Sequence, residues 1–373
     1  MLSDYNVIII GAGLSGAVMA EQFAGKKKKV LIIDKRPHIG GNCYDFIDEE
    51  TGILCNKYGP HFFHTNNEEV WDYVQRFSEW KPYEHRVLAK VDNKTVPVPV
   101  NITTVNTLFN KEIKTKVEME NWLQANQVKN TNITNSKEMA LSLVGTELYE
   151  KIFKNYTFKQ WGVYPEELKP EIAARIPVRN NFDTRYFTDK YQALPSLGYT
   201  EFIKKILTSP LITVLLNADF EDIKYNIEPS TTIIYTGPID NYFTGYEKLG
   251  YRSLDIVFER YKNKGFYQEG VQINYPNLDE KFTRIIEYKH CFNQKSDYTI
   301  ISKEYSTDKG EPSYPILNDK NLELFAMYKE LAEKETKEKN VHYLGRLANY
   351  KYFNMDQAIH NSLAYFKENF SRL

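Results

Sequence analysis

Cysteine is scarce. The chain of 373 residues has three, Cys43, Cys55 and Cys291. An odd number without metal-ligand spacing argues against a disulfide framework or a zinc site and points to a reducing compartment. Long apolar runs are also missing. None approaches the roughly 20 residues of a membrane span, and the mean hydropathy is −0.53. The first apolar run, Val7-Ile8-Ile9-Ile10, is cut off by Gly11, well short of the apolar core of about 7–15 residues in a signal peptide, and no basic start precedes it. The expected location is the cytoplasm. An excess of either charge is absent too. Lys+Arg (48) and Asp+Glu (49) leave a net charge of −1, which argues against a broadly basic nucleic-acid binder. Low-complexity segments and internal repeats are not seen. With 42% apolar and 26% charged residues the chain reads as globular, and its length suggests two to three domains. What is plentiful is aromatic: 28 Tyr and 21 Phe. Aromatics with a polar tip suit sugar and base sites but serve equally in a core.

The N-terminus carries the first functional signal. Asn6–Ile10 reads as a buried strand, and Gly11-Ala12-Gly13-Leu14-Ser15-Gly16 follows at once. Ala17–Ala24 reads as a helix, Lys26–Lys29 as a solvated turn, and Val30–Ile33 as a second strand closed by Asp34. This is a β-α-β unit with G-x-G-x-x-G in place. Gly11 permits the tight turn, Gly13 lets a pyrophosphate approach the backbone, and Gly16 lets helix pack on strand. The helix N-terminus offers free N–H groups to phosphate. Asp34 stands 23 positions after Gly11, at the offset of a ribose-binding carboxylate, about 20 residues. A second glycine pair, Gly40-Gly41, follows in Lys35-Arg36-Pro37-His38-Ile39-Gly40-Gly41-Asn42. A second close approach of backbone to ligand suits FAD lying extended, rather than NAD.

Farther along, Arg86–Val91 and Thr95–Val100 alternate around Asp92-Asn93-Lys94 as a hairpin. Residues 108–161 are helical in character, clearest from Ser136, a candidate N-cap, through Leu141, Val144, Leu148, Ile152 and Tyr156. An irregular stretch, 179–191, comes next. Thr200–Leu207 reads as a helix, and Ile212–Leu216 and Thr232–Thr236 as strands. Tyr251–Phe258, Gly270–Tyr275, Phe282–Tyr288 and Tyr298–Tyr305 read as sheet. Leu322–Lys339 reads as a helix, Val341–Leu344 as a strand and Met355–Phe366 as a helix. The N-terminal unit needs further parallel strands, and 232–236 and 341–344 are the natural donors. The expected fold is α/β: a discontinuous Rossmann-like FAD-binding domain with a helical insert and an antiparallel sheet domain. The FAD-binding pieces are expected at 1–78, 195–240 and 321–373. The sheet pieces are expected at 79–104, 173–194 and 241–320, and the helical domain at 105–172.

Beyond this fingerprint the chain resembles the UDP-galactopyranose mutase family, prokaryotic type. The resemblance is carried by Tyr58-Gly59-Pro60-His61-Phe62-Phe63-His64-Thr65, Tyr156-Thr157-Phe158-Lys159-Gln160-Trp161-Gly162, Arg175-Ile176-Pro177-Val178-Arg179 and Tyr191-Gln192. It continues through Tyr235-Thr236-Gly237-Pro238-Ile239-Asp240, Thr283-Arg284-Ile285-Ile286-Glu287, Glu311-Pro312-Ser313-Tyr314-Pro315 and Gly345-Arg346-Leu347-Ala348. These blocks run in family order along nearly the whole chain. Two departures stand out: Pro60, where the family often has Ala, and Asn354, where it often has Asp.

The resemblance implies a flavin-dependent, non-redox interconversion of UDP-galactopyranose and UDP-galactofuranose through a covalent flavin N5–sugar C1 adduct. FAD would act as the reduced FADH− form, kept so by a cellular reductant such as NAD(P)H, in a homodimer. Two other readings share the fold. One is a mutase for another nucleotide sugar, such as UDP-N-acetylgalactosamine or a dTDP-6-deoxysugar. The other is an FAD-dependent oxidase. The cofactor would be held by Gly11, Gly13, Ser15, Gly16, Asp34, Lys35, Gly41, Asn42, His61, Gly345, Arg346, Asn354 and Met355. Catalysis is assigned to Arg175, Arg284, His64, Trp161, Tyr314 and Tyr352. Guanidinium forks at Arg175 and Arg284 suit the departing diphosphate, with hydroxyls of Tyr186, Tyr314 and Tyr352 beside them. Tyr156 is assigned to stacking on uracil, Trp161 to closing the site, His85 to the sugar, and Arg346 to both flavin and substrate. Arg175 is expected in a mobile segment and Arg284 in a fixed one. No metal is expected, because no third ligand accompanies His61 and His64. Cys43 reads as a small buried residue rather than a nucleophile.

Overall fold

The computed structural model describes residues 2–372. Its organising element is a five-stranded sheet in the order Ile212–Leu216, Val30–Asp34, Val7–Ile10, Thr232–Tyr235, Val341–Tyr343. Every pairing in it is parallel. The β-branched runs form it because both faces are covered. Val7, Ile9, Val30 and Ile32 face the helices Leu14–Gly25 and Met355–Phe370, where Phe23 meets Phe366 edge-on at 5.0 Å. Ile8, Leu31 and Ile33 face the other way, onto Ile223 and Ile227. The Asp319–Lys339 helix buries Tyr328 and Ala332 with Tyr235 and Tyr343. The two expected donor strands are there. The strand at 212–216, whose place the sequence left open, pairs with Val30–Asp34 and adds an edge strand beside it.

The second sheet has seven strands, in the order Tyr314–Pro315, Tyr251–Lys262, Tyr298–Thr307, Arg284–Glu287, Gln272–Asn274, Val87–Val91, Lys94–Val98. It is antiparallel except where Gln272–Asn274 lies parallel to Val87–Val91. Those two strands come from distant parts of the chain, so no hairpin dictates their direction. The hairpin turn is Asp92-Asn93 alone, at φ 49° and 60°. This is the left-handed pair that a two-residue turn needs, and it returns Lys94 to the ladder opposite Val91.

A three-stranded sheet of Phe63–Thr65, Tyr191–Pro195 and Trp80–Pro82 and a short Asp45–Ile47/Leu54–Asn56 pair complete the strands described. None of these five strands was read from the sequence; the four of three residues show too little alternation, and Tyr191–Pro195 lies at the end of the irregular stretch.

The helical segment comprises Ile102–Phe109, Lys116–Asn126 and Ser136–Leu148, then a π-helical stretch Tyr149–Lys154 and Asn155–Trp161. The cap at its centre is Asn135 rather than Ser136. The Asn135 side chain accepts the Glu138 N–H at 3.0 Å, and Ser136 is the first helical residue, 1% exposed. Asn fits the role equally well, and the polar run before it hid the boundary. Among the described residues no helix is long and apolar enough to cross a membrane.

Candidate functional site: two joined cavities

The first cavity, about 540 Å³, opens at the carboxyl ends of the parallel strands, where such sheets bind ligands. Gly11 and Gly13 follow the first strand, Asp34 ends the second, Thr236-Gly237 follow the fourth and Gly345 the fifth; all line it. Gly11 has φ +107°, and a Cβ there would lie 2.1 Å from Thr236 Oγ1. Gly41, at φ +55°, brings its loop against Gly13 so closely that a Cβ would fall 2.9 Å from Gly13 Cα. The two glycine loops thus meet backbone to backbone at the cavity wall.

Asp34 is oriented by the chain itself, Oδ2 accepting Ala12 N–H at 2.8 Å and Oδ1 accepting Arg36 N–H at 2.9 Å. Ser15, Lys35, Asn42, His61, Arg346, Asn354 and Met355 also line this cavity. Gly16 does not. A Cβ there would lie 2.0 Å from the Gly11 carbonyl oxygen, so Gly16 shapes the turn from behind. Lys35 stands at the rim, its ammonium 2.7 Å from Glu311.

Two contributors were not singled out by sequence. Arg36 donates to Asn42 Oδ1 at 2.9 Å and lies 4.4 Å from the Tyr58 ring centroid. Asp219–Glu221 form an edge of the cavity because the 212–216 strand ends there. Knowing that strand's neighbour would have found them.

The second cavity, about 630 Å³, lies between the seven-stranded sheet, the helical segment and the loops after the fifth parallel strand. Asn42, His61, Arg346, Asn354 and Met355 line both cavities and mark their junction. The guanidinium of Arg346 is pinned there, donating to the Phe353 carbonyl at 2.6 and 3.1 Å and to Ser313 O at 3.2 Å.

Every side chain assigned to substrate or catalysis lines this second cavity: His64, His85, Tyr156, Trp161, Arg175, Tyr186, Arg284, Tyr314, Arg346 and Tyr352. They come from separate elements. Tyr156 and Trp161 sit on one short helix just past the π-helical stretch, and Arg284 opens a central strand. Arg175 caps the four-residue helix Glu171–Ala174, and Tyr186 lies in the irregular segment.

The two arginines are held differently. Arg284 Nε donates to Glu304 Oε2 at 2.7 Å, and that carboxylate is 1% exposed. Arg175 is exposed, yet it donates to Tyr352 O at 3.1 Å and to Asn354 Oδ1 at 2.6 Å, and its guanidinium lies 4.0 Å from the Tyr352 ring centroid. Trp161 is 3% exposed and packs edge-on against Tyr314 at 5.2 Å and Tyr352 at 5.6 Å. It lines the cavity from the end of its short helix.

Burial sets the protonation of this lining. It raises the hydroxyls of Tyr156 and Tyr186 above the ordinary tyrosine value and that of Tyr314 to about 12. At neutral pH these groups are O–H donors. Burial, with Arg346 and Arg284 nearby, lowers His61 to about 4, and its Nδ1 lies 2.9 Å from Gly59 O. Burial lowers His85 to about 3. His85 stacks on Phe62 at 3.7 Å, and its Nδ1 has no partner among the described residues. His64 pairs with Asp189 at 3.0 Å and stacks on Phe187 at 3.5 Å. Guanidiniums, neutral hydroxyl donors and aromatic faces together suit a diphosphate carrying a base and a sugar.

The fold is that of an α/β dinucleotide-binding protein, with an adjoining cavity that Arg175, Arg284 and Arg346 line. The profile of the UDP-galactopyranose mutase family matches residues 151–352, and that of NAD(P)-binding Rossmann-like domains matches 9–77. A probable UDP-galactopyranose mutase of Klebsiella pneumoniae is 39% identical over 97% of this chain and 94% of its own. The dTDP-fucopyranose mutase of Escherichia coli is 36% identical over 97% and 99%. The crystal structure of a reduced UDP-galactopyranose mutase superposes with a TM-score of 0.76, at 17% identity, over 99% of this chain and 96% of that one. The chain belongs to the UDP-galactopyranose mutase family, and so to the isomerases.

Proposed function

We propose that the protein interconverts UDP-galactopyranose and UDP-galactofuranose, with FAD in the first cavity and the nucleotide sugar in the second. The observation that carries this is the junction: five residues line both cavities, so a cofactor in one meets a ligand in the other. The lining fits FAD. Gly13 and Gly41 present backbone to a pyrophosphate, Asp34 is aimed at a ribose, and Met355 opens a 16-residue helix whose N-terminus favours negative charge at the junction. Bound there in its reduced form, FAD would supply a nucleophilic ring nitrogen for chemistry at sugar C1 without net oxidation.

The chain's residues do the rest. Arg284 and Arg175 take up the charge that grows on the diphosphate as it departs. Tyr314 and Tyr352 donate hydroxyls to the same oxygens, Tyr186 stands beside them, and Tyr156 stacks on the uracil. His85, neutral and with an unpartnered Nδ1, is placed to hydrogen-bond a sugar hydroxyl. An oxidase would have no use for this set of guanidiniums. Cytoplasmic action, a homodimer and reduction by NAD(P)H belong to the same proposal.

The test is incubation of dithionite-reduced holoenzyme with UDP-galactofuranose and, in parallel, dTDP-fucofuranose, followed by chromatography. Conversion of the UDP sugar without net use of reductant is expected. Preferential conversion of the dTDP sugar would shift the substrate, and loss of reductant in step with product would indicate an oxidoreductase instead.

A further inference from the structure

Lys159 belongs to the Tyr156–Gly162 block, yet it does not line either cavity. Its ammonium donates to four backbone carbonyls: Asn277 at 2.7 Å, Phe282 at 2.9 Å, Glu280 at 3.0 Å, and Tyr275. All four lie in residues 275–282, the segment that joins the strands Gln272–Asn274 and Arg284–Glu287. This segment has no regular hydrogen-bond ladder of its own beyond its base, where Tyr275 N–H donates to Thr283 O at 2.9 Å.

The segment matters for the pocket. Asn274 and Arg284 pair across the two strands, and Asn274, Pro276 and Arg284 all line the second cavity. Tyr156, Thr157, Gln160 and Trp161 line it from the helix that carries Lys159. The Gln160 carbonyl is held in turn by Arg252 Nε at 3.2 Å and by Ser306 Oγ at 2.5 Å.

We propose that Lys159 is a positioning residue whose ammonium acts as a tethered cation. It fills a carbonyl cage and locks the 275–282 segment, and with it Pro276 and Arg284, to the helix bearing Tyr156. Carbonyl oxygens that converge on one point repel unless a hydrogen-bond donor or a cation sits among them, and here the donor is the Lys159 ammonium. A lysine has three donors on a flexible stem. A free ammonium ion has four, one for each oxygen, and potassium is held by carbonyl rings in the same manner. Truncating the side chain therefore leaves a cage that a small monovalent cation can refill. The consequence for turnover rests on the second cavity being the substrate site, whereas the cage itself does not.

The test uses the FAD holoenzyme of Lys159→Ala, with hydrogen exchange of the 275–283 amides as the first readout. Exchange there is expected to rise by about tenfold or more, the scale of one charge-assisted hydrogen bond. Added ammonium or potassium chloride should reverse it, and tetramethylammonium chloride at equal ionic strength should not. The second readout is UDP-galactofuranose turnover, which should fall and recover with the same salts. Lys159→Met, whose stem occupies the cage, should show the loss without the recovery. Exchange unchanged in Lys159→Ala, or changed without cation-specific recovery, overturns the inference. Exchange that recovers in an enzyme whose wild type converts no UDP sugar leaves the cage standing and removes the substrate reading. If Lys159→Ala yields no folded holoenzyme, Lys159→Gln takes its place. It should loosen the segment partly, and unchanged exchange there also overturns the inference.

Discussion

The two cavities share a wall but are made of different material. The first is shaped by backbone where its glycine loops meet, beside side chains such as Asp34 and His61. Its curvature comes from glycines at positive φ and from two loops touching at Gly13 and Gly41. The second is mostly side chain, with guanidiniums, hydroxyls and rings delivered by separate elements. A backbone site depends on positions where a Cβ cannot fit, so substitution there removes the site. A side-chain site can lose one group and keep its shape, so substitution there removes a function and spares the fold unless it strands a buried charge.

The largest expected effect breaks the backbone cavity. Gly16→Val would drive a side chain onto the Gly11 carbonyl, where even a Cβ lies 2.0 Å away. Overpacking against atoms that can move costs about 1–3 kcal/mol, and here the obstacle is main chain. Purified Gly16→Val is expected to carry no flavin, read as the loss of absorbance near 450 nm. Gly25→Ala is the control: it ends the same helix, nothing lies within 4 Å of its Cβ, and its flavin content should be unchanged. Equal flavin in both variants would dissolve the contrast.

Next comes the side-chain cavity at its most buried point. Arg284→Ala removes a donor aimed at developing charge, worth roughly 10²–10³ in rate. It also strands Glu304, 1% exposed, and breaking a buried pair costs about 3–5 kcal/mol. Turnover and stability should therefore fall together. The double variant Arg284→Met/Glu304→Gln should regain most of the stability, by urea denaturation, and none of the turnover. Stability unchanged in Arg284→Ala would mean that Glu304 finds water.

The same difference decided what could be read in advance. The first cavity was legible because its signals are local: strand, glycine turn, helix, strand and acid fall within residues 7–34. Its far edge at Asp219 was not, because a strand's sequence does not state its neighbour. The second cavity has no local signature. A lone Arg175 or Tyr314 reads as a surface cation or a core ring, and these residues were found through the family blocks that carry them. Where the reading relied on local chemistry alone it placed the cap one residue late, at Ser136, and missed the short strands Asp45–Ile47, Leu54–Asn56, Phe63–Thr65 and Trp80–Pro82.

Arg175 sharpens the comparison within the second cavity. It is exposed and its bonds go to Tyr352 and Asn354, so no buried charge is stranded by its removal. Arg175→Ala should leave urea stability within about 0.5 kcal/mol of the parent. It should weaken UDP binding and turnover by about ten- to a hundredfold, the scale of a charge-assisted hydrogen bond of about 1.5–3 kcal/mol. Arg175→Lys should recover part of this, keeping the charge without the fork. Titration with UDP and steady-state rates check both statements. A stability loss comparable with that of Arg284→Ala would show that the two arginines are held alike.

The smallest expected effect concerns protonation in the side-chain cavity. His85 is 3% exposed and burial lowers it to about 3, against an ordinary value of 6.5. Between those values the unfolded chain binds a proton at this residue and the folded protein does not. Stability from this group is therefore complete above pH 6.5 and declines as pH falls toward 3. Between pH 7 and 5.5 the decline amounts to about 1 kcal/mol. In His85→Gln, which cannot titrate, the same interval should cost the fold about 1 kcal/mol less. Urea denaturation of both holoenzymes at the two pH values measures the difference, and equal slopes would mean that His85 takes up its proton in the folded state. Gly25→Ala adds no titrating group and meets nothing within 4 Å, so it should follow the parent's slope unchanged.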